Sequence, residues 1–233
     1  MSDEFNANDL SDDIEPVVAR TSGGRVVLLG TAHGLQRIID FVDGFIRTEQ
    51  PDLVLVELEH LAFSVWNLLV DKSVDSTTDL DVATFLEWRS KIELDVREKR
   101  FQLPKGEMIQ AIQTSKDLAI PWEIIDMPLE EIARIAGARE TKLEGLANDS
   151  IQNANIDFLG TYIATAVRFA QLAGLINTKK SEDPAINERV LAAREEYMAQ
   201  KINAWVTEST YQKILVVCGG AHITPLLTLV NRD

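Results

Sequence analysis

The chain has 233 residues, 45% of them apolar and 26% charged, with a formal net charge of −14. That is the composition of a globular domain, not of a disordered or membrane chain. A surface this acidic repels phosphate backbones, which argues against nucleic acid as a partner; the single cysteine, Cys218, excludes an internal disulfide.

Residues 1–22 read as an acidic, flexible leader and residues 23–233 as one domain. The start of the chain has neither a basic segment nor an apolar run, so it does not read as a secretory signal. The expected location is the cytoplasm. Arg25-Val-Val-Leu-Leu-Gly30 is a short apolar run rich in β-branched residues, the pattern of a buried strand. Residues 35–49 follow with apolar side chains at Leu35, Ile38, Ile39, Val42, Phe45 and Ile46, a helical stripe. Pro51-Asp52 breaks it, and Asp52-Leu-Val-Leu-Val-Glu57 is a second buried strand. The opening strand–helix–strand order is the unit of a parallel sheet.

Helical spacing recurs over residues 61–70, 80–101 and 106–118. Pro121-Trp-Glu-Ile-Ile-Asp126 reads as a third strand. Residues 129–146, 156–176 and 184–207 read as further helices, the last opened by Asp183 as N-cap and Pro184 in the first turn. Lys213-Ile-Leu-Val-Val-Cys218 is a final strand and residues 223–230 a closing helix. The longest apolar stretch, 158–176, carries Arg168 and Gln171 near its middle. An arginine there costs about 2.5–3.5 kcal/mol in a bilayer, so it reads as a buried helix and not a membrane span. The expected fold is α/β: a small central, largely parallel sheet with a large helical portion. The apolar surface of helices 60–101 and 139–177 exceeds what such a sheet needs, and a homodimer is expected to use it.

The three histidines, His33, His60 and His222, all follow strand ends, the edge where open α/β sheets bind ligands. Two stand in repeated Gly-x-x-His segments, Gly30-Thr-Ala-His33 and Gly219-Gly-Ala-His222. Glycine permits a sharp turn and close approach to a ligand, and imidazole is both a transition-metal ligand and a general base. The second strand ends in Glu57 and Glu59, on one side of the strand if it persists, and the third ends in Asp126. Two imidazoles and a carboxylate form an open metal site with room for water and substrate. His60 reads as a turn residue, Glu59 as a helix N-terminal residue before a ligand, and Cys218 as a buried strand-end hydrophobe. Nucleophile-elbow, phosphate-loop, dinucleotide-fingerprint and His-Glu-x-x-His patterns are absent from the sequence.

Several segments together resemble the TraB/PrgY family of pheromone-shutdown proteins, related to the TIKI proteases. They are Leu29-Gly-Thr-Ala-His33, Asp52-Leu-Val-Leu-Val-Glu57-Leu-Glu59, Gly106-Glu-Met108, Arg194-Glu-Glu-Tyr-Met198-Ala and Val217-Cys-Gly-Gly-Ala-His222, spread over nearly the whole chain after residue 25. The resemblance implies a single TraB-like domain over 23–233. It implies an active site of metal-dependent peptidase type at His33, His222 and Glu57. It implies an arginine on a late helix, Arg194, preceded here by Ala193 and followed by Glu195 where the family carries other residues. It also implies an acid–arginine pair after the third strand. Met127 follows Asp126 here, so that arginine is either absent or supplied from elsewhere, with Arg134 as the candidate. Many members carry a membrane-spanning region beyond the histidine helix; this chain resembles the soluble part.

The expected function is that of a metal-dependent hydrolase acting on a peptide or small amide. His33, His222 and Glu57 would hold Mn²⁺, Co²⁺ or Zn²⁺, Glu59 or Asp126 would handle protons, and Arg194 would grip a substrate carboxylate or an oxyanion. The alternative is a non-catalytic regulator that binds a peptide or pheromone in the same crevice.

Overall fold

A computed structural model of the chain describes residues 15–21, 23–32, 35–60, 63, 106–137, 176–180 and 182–230. The contacts divide the chain into two compact units. One comprises Met1–Glu57, Gly106–Glu123 and Ile202–Asp233; the other comprises Leu58–Lys105 and Ile124–Lys201. Both are discontinuous in sequence, so no single cut within 23–233 separates them.

The first unit is built on the sheet. Strand β1 (Val17–Arg20) pairs antiparallel with β2 (Val26–Thr31), which pairs parallel with β5 (Ile214–Gly219), which pairs parallel with β3 (Leu53–Val56). With β4 (Trp122–Ile124) the order is β1-β2-β5-β3-β4. The fold is therefore α/β with a small, mostly parallel sheet, as the apolar runs predict. β2, β3 and β5 are buried along their whole length, which is why they read as continuous hydrophobic runs instead of alternating ones.

Helix α1 (Gln36–Glu49) buries Ile38, Val42 and Ile46, a stripe at four-residue spacing. It stops at Gln50, which turns left-handed (φ 45°) while its N–H returns to the Ile46 carbonyl; Pro51 then prevents continuation. Helix α2 (Gly106–Asp117) lies against α1. A Cβ on Gly106 would stand 2.7 Å from Ile39 Cδ1, so a larger residue there would have to displace the tip of that side chain. The polar seam between them centres on Asp43, which accepts from Thr114 Oγ1 at 2.6 Å and from Gln110 Nε2 at 3.2 Å. Arg25 closes the carboxyl end of helix α4 (Pro184–Glu208), donating to the carbonyls of Val206, Ser209 and Tyr211.

In the second unit, helix α3 (Leu129–Ile135) contributes Leu129, Ile132 and Ala133 to a core shared with Met127, Ile176, Ile186 and Val190. Asp183 caps the following long helix, its Oδ1 accepting the Ala185 N–H at 3.0 Å, as the Asp-Pro pair predicts.

Two expectations are corrected. The leader expected over 1–22 gives up Val17–Arg20 to the sheet: a four-residue edge strand with Val17 and Val18 exposed leaves no hydrophobic pattern to read. The helix expected over 129–146 ends at Ile135, because Gly137 takes φ +70° and its N–H bonds back to the Arg134 carbonyl. The helices expected at 61–70, 80–101 and 156–176 lie outside the described residues, apart from Phe63 and Ile176. So does most of the surface that prompted the expectation of a dimer. Among the described residues, no helix is long and apolar enough to cross a membrane.

Candidate functional site

β2, β5 and β3 run side by side in parallel, with Thr31 opposite Gly219 and Val56 opposite Val217. The two Gly-x-x-His segments thus leave the sheet from neighbouring strands, with Glu57 following the third. His222 ends a single 3-10 turn (Gly220–His222) between β5 and helix α5 (Ile223–Val230), and is only 5% exposed. Its Nε2 lies 3.3 Å from Oε1 of Glu57, which is 3% exposed. The second carboxylate oxygen, Oε2, accepts the Gly219 N–H at 2.6 Å, while the Glu57 N–H donates to the Val217 carbonyl at 2.8 Å. Glu57 therefore continues the β3–β5 ladder with its backbone and turns its side chain onto the same neighbour.

The glycines act differently from the expectation of a special turn. Gly30 lies within β2, and a Cβ there would meet Ile223 Cγ1 at 2.5 Å and Gly220 Cα at 3.0 Å. It serves the close packing of β2 against the Gly220–His222 turn and Ile223. Gly219 has ordinary extended angles (φ −63°, ψ 141°), and its N–H is what the site uses.

His33 lies outside the described residues. Among the described residues, no group of three or more His, Cys, Asp or Glu side chains is gathered to hold a metal ion. The two members of the expected set that are described do suit one. Nitrogen and oxygen ligands bound at 2.0–2.2 Å to one ion, at angles between 90° and tetrahedral, stand about 2.8–3.6 Å apart, and His222 Nε2 to Glu57 Oε1 is 3.3 Å.

The other expected residues belong to the second unit. Asp126, 7% exposed, receives Arg194 side-on, Nε to Oδ1 at 2.9 Å and Nη2 to Oδ2 at 2.8 Å, and its Oδ1 also accepts the Met127 N–H at 2.8 Å. Asp126 is thus ion-paired with Arg194 from the late helix, and not with Arg134. Arg134 instead pairs with Glu131 three residues before it, on the exposed face of α3. Glu59, 7% exposed, accepts the Leu129 N–H at 3.2 Å, so its carboxylate caps α3, whose N-cap Pro128 has no side-chain bond to offer. Lys180 stands near Arg194: burial first, and the guanidinium charge second, hold its ammonium below the usual lysine range. His60 is exposed and helical, not the turn residue expected, and Cys218 is buried in β5.

Two buried residues escaped the sequence reading. Thr31, 4% exposed, donates its hydroxyl to the Cys218 carbonyl at 3.1 Å; its only signal is that Gly220 stands in its place in the second motif. Glu107, fully buried in the first turn of α2, has no signal in the sequence beyond its place in Gly106-Glu-Met108.

A model of the TraB/PrgY/gumN family matches residues 17–230. An uncharacterized protein of Methanocaldococcus jannaschii is 21% identical over 220 residues, 89% of this chain and 53% of that protein. The chain thus spans about half the length of this relative. The family match begins at β1, within the stretch expected to be leader.

Proposed function

The chain belongs to the TraB/PrgY/gumN family, and from that premise we propose that it is a metal-dependent hydrolase acting on a peptide or a similar small amide. The observation that carries this reading is the buried contact of His222 with Glu57 at 3.3 Å, where β5 and β3 end. Taking two charged or chargeable groups out of water is costly unless they hold each other or a common ion.

In this reading His222 and Glu57 contribute two ligands, and His33, two residues beyond Thr31 in sequence, contributes the third. A bound divalent ion such as Mn²⁺, Co²⁺ or Zn²⁺ would polarise the scissile carbonyl and lower the pKa of water. Glu57 supplies the negative charge, and the Gly219 N–H fixes one of its oxygens so that the other faces His222. Asp126 and Glu59 hold backbone N–H groups at 127 and 129, and we assign them the task of setting that segment.

A second reading, a peptide-binding regulator without turnover, draws on one observation. Two donors of Arg194, the group expected to grip a substrate carboxylate, are already taken up by Asp126.

Metal content and affinity decide between the two. The purified protein and its His33→Ala and His222→Ala variants are loaded with Mn²⁺, Co²⁺ and Zn²⁺. Stoichiometric metal in the parent, lost in both variants, supports the hydrolase and directs a peptide-substrate screen. A folded parent that takes up no metal overturns it and leaves the regulator.

A further inference from the structure

The peptide bond between Cys218 and Gly219 is held from both sides. Its carbonyl accepts from Thr31 Oγ1 at 3.1 Å, from β2. Its N–H donates to Glu57 Oε2 at 2.6 Å, from the end of β3. The alternation of the central strand produces this: the Val217 carbonyl faces β3, so the polar groups of Cys218 face β2 and those of Gly219 face β3 again. The remaining oxygen of Glu57 meets His222. A continuous chain of contacts thus runs from the Thr31 hydroxyl through one peptide unit and one carboxylate to the imidazole, across three strands.

We propose that Thr31 is a positioning residue for the Glu57–His222 pair and acts through the Cys218–Gly219 peptide. A hydroxyl bound to the carbonyl polarises the amide, and the N–H on the other side becomes a stronger donor to the carboxylate. Thr31, Cys218, Glu57 and His222 are 4%, 0%, 3% and 5% exposed, so water does not dilute the effect. The strand itself does not call for the hydroxyl: valine has the same shape and suits a buried strand at least as well. The inference rests on the proposed function only in taking Glu57 and His222 as the working pair.

Thr31→Val and Thr31→Ser separate the hydroxyl from the shape of the side chain. In the metal-free protein, the Gly219 amide proton in a solution NMR spectrum moves upfield in T31V and returns in T31S. Co²⁺ affinity falls on the order of 10-fold in T31V, the lower end of what losing an outer-sphere partner does, and is restored in T31S. A Gly219 amide that stays in place in folded T31V overturns the proposal. So does a serine variant that behaves like the valine one, or unchanged Co²⁺ affinity in T31V when the parent binds. The amide reading needs no metal. Failure of the metal-site reading therefore shows as a moved amide in a protein that binds no Co²⁺, and failure of the relay as a fixed amide. If T31V does not fold, Glu57→Gln reads the chain from its other end. Weakening that acceptor moves the Thr31 hydroxyl proton upfield if the bonds are coupled, and a stationary hydroxyl overturns the coupling.

Discussion

Arg194 is the partner of Asp126 across 68 residues of sequence, bound through two parallel N–H···O contacts of 2.9 and 2.8 Å. Their side chains are 19% and 8% exposed, so the pair is largely out of water. Removing one partner leaves the other charge buried without its counterpart, and Arg194→Ala or Asp126→Ala is expected to cost about 3 kcal/mol. The double variant should cost clearly less than the sum of the two. Arg194→Lys should recover little, because an ammonium cannot reproduce the side-on fork. Urea unfolding of the three single variants and the double alanine variant checks this. Additive losses would show that the pair is not coupled.

The same pair marks where sequence reasoning stops. Strands β2, β3 and β5 and the α1 stripe were legible because burial on both faces or on one helical face writes itself into hydrophobic spacing. The Asp183-Pro184 start was legible because capping is local. The gathering of Glu57 and His222 could be anticipated from strand ends, since parallel order brings C-terminal ends to one edge. The partner of Asp126 could not. Arg134 is near in sequence, but it sits on the outer side of α3 with Glu131, and a long-range ion pair has no period. β1 was hidden for a related reason: an edge strand with one paired side and exposed valines carries too little burial to pattern its sequence.

Gly30→Ala tests the claim that this motif glycine serves packing. The added methyl would lie 2.5 Å from Ile223 Cγ1, which can yield in part, and 3.0 Å from Gly220 Cα, which is backbone and cannot. A loss of about 1–3 kcal/mol is expected, typical of overpacking. Combining it with Ile223→Ala should give less than the summed loss, because the cavity made by one change receives the methyl of the other. Thermal unfolding of the two single variants and the double resolves this. A Gly30→Ala protein as stable as the parent would remove the packing argument.

Two titrating groups make stability rise with pH, each in its own pH range. The hydrogen bond from Arg47, first, and that from Thr114, second, hold Asp43 below its usual 3.8. A depressed carboxylate stabilises the fold above its unfolded value, and that contribution disappears as pH falls from about 3.8 through the lower folded value. Asp43→Asn should therefore show a shallower acid loss than the parent. Lys180 is depressed by burial and by Arg194, so between its folded value and the usual 10.5 the unfolded chain binds more protons and stability rises with pH. Lys180→Met should be more stable than the parent at neutral pH and should lack this alkaline rise. Urea unfolding across the pH range reads both slopes, and parallel curves for parent and variants would contradict the assignments.

Glu57 carries two duties that different substitutions separate. Its Oε2 satisfies the Gly219 N–H, and its Oε1 faces His222. Glu57→Ala leaves that buried N–H without its acceptor and opens a void, a loss of about 1–3 kcal/mol from the unsatisfied donor alone. Glu57→Gln keeps a carbonyl oxygen for Gly219 and nearly the same volume, so it should fold with much smaller loss, yet it removes the negative charge that an ion beside His222 would require. The expected pattern is near-parent stability with lost Co²⁺ binding in the glutamine variant, and loss of both in the alanine variant. Co²⁺ binding retained in Glu57→Gln would take the carboxylate charge out of the metal site and leave Glu57 as the brace between β3 and β5.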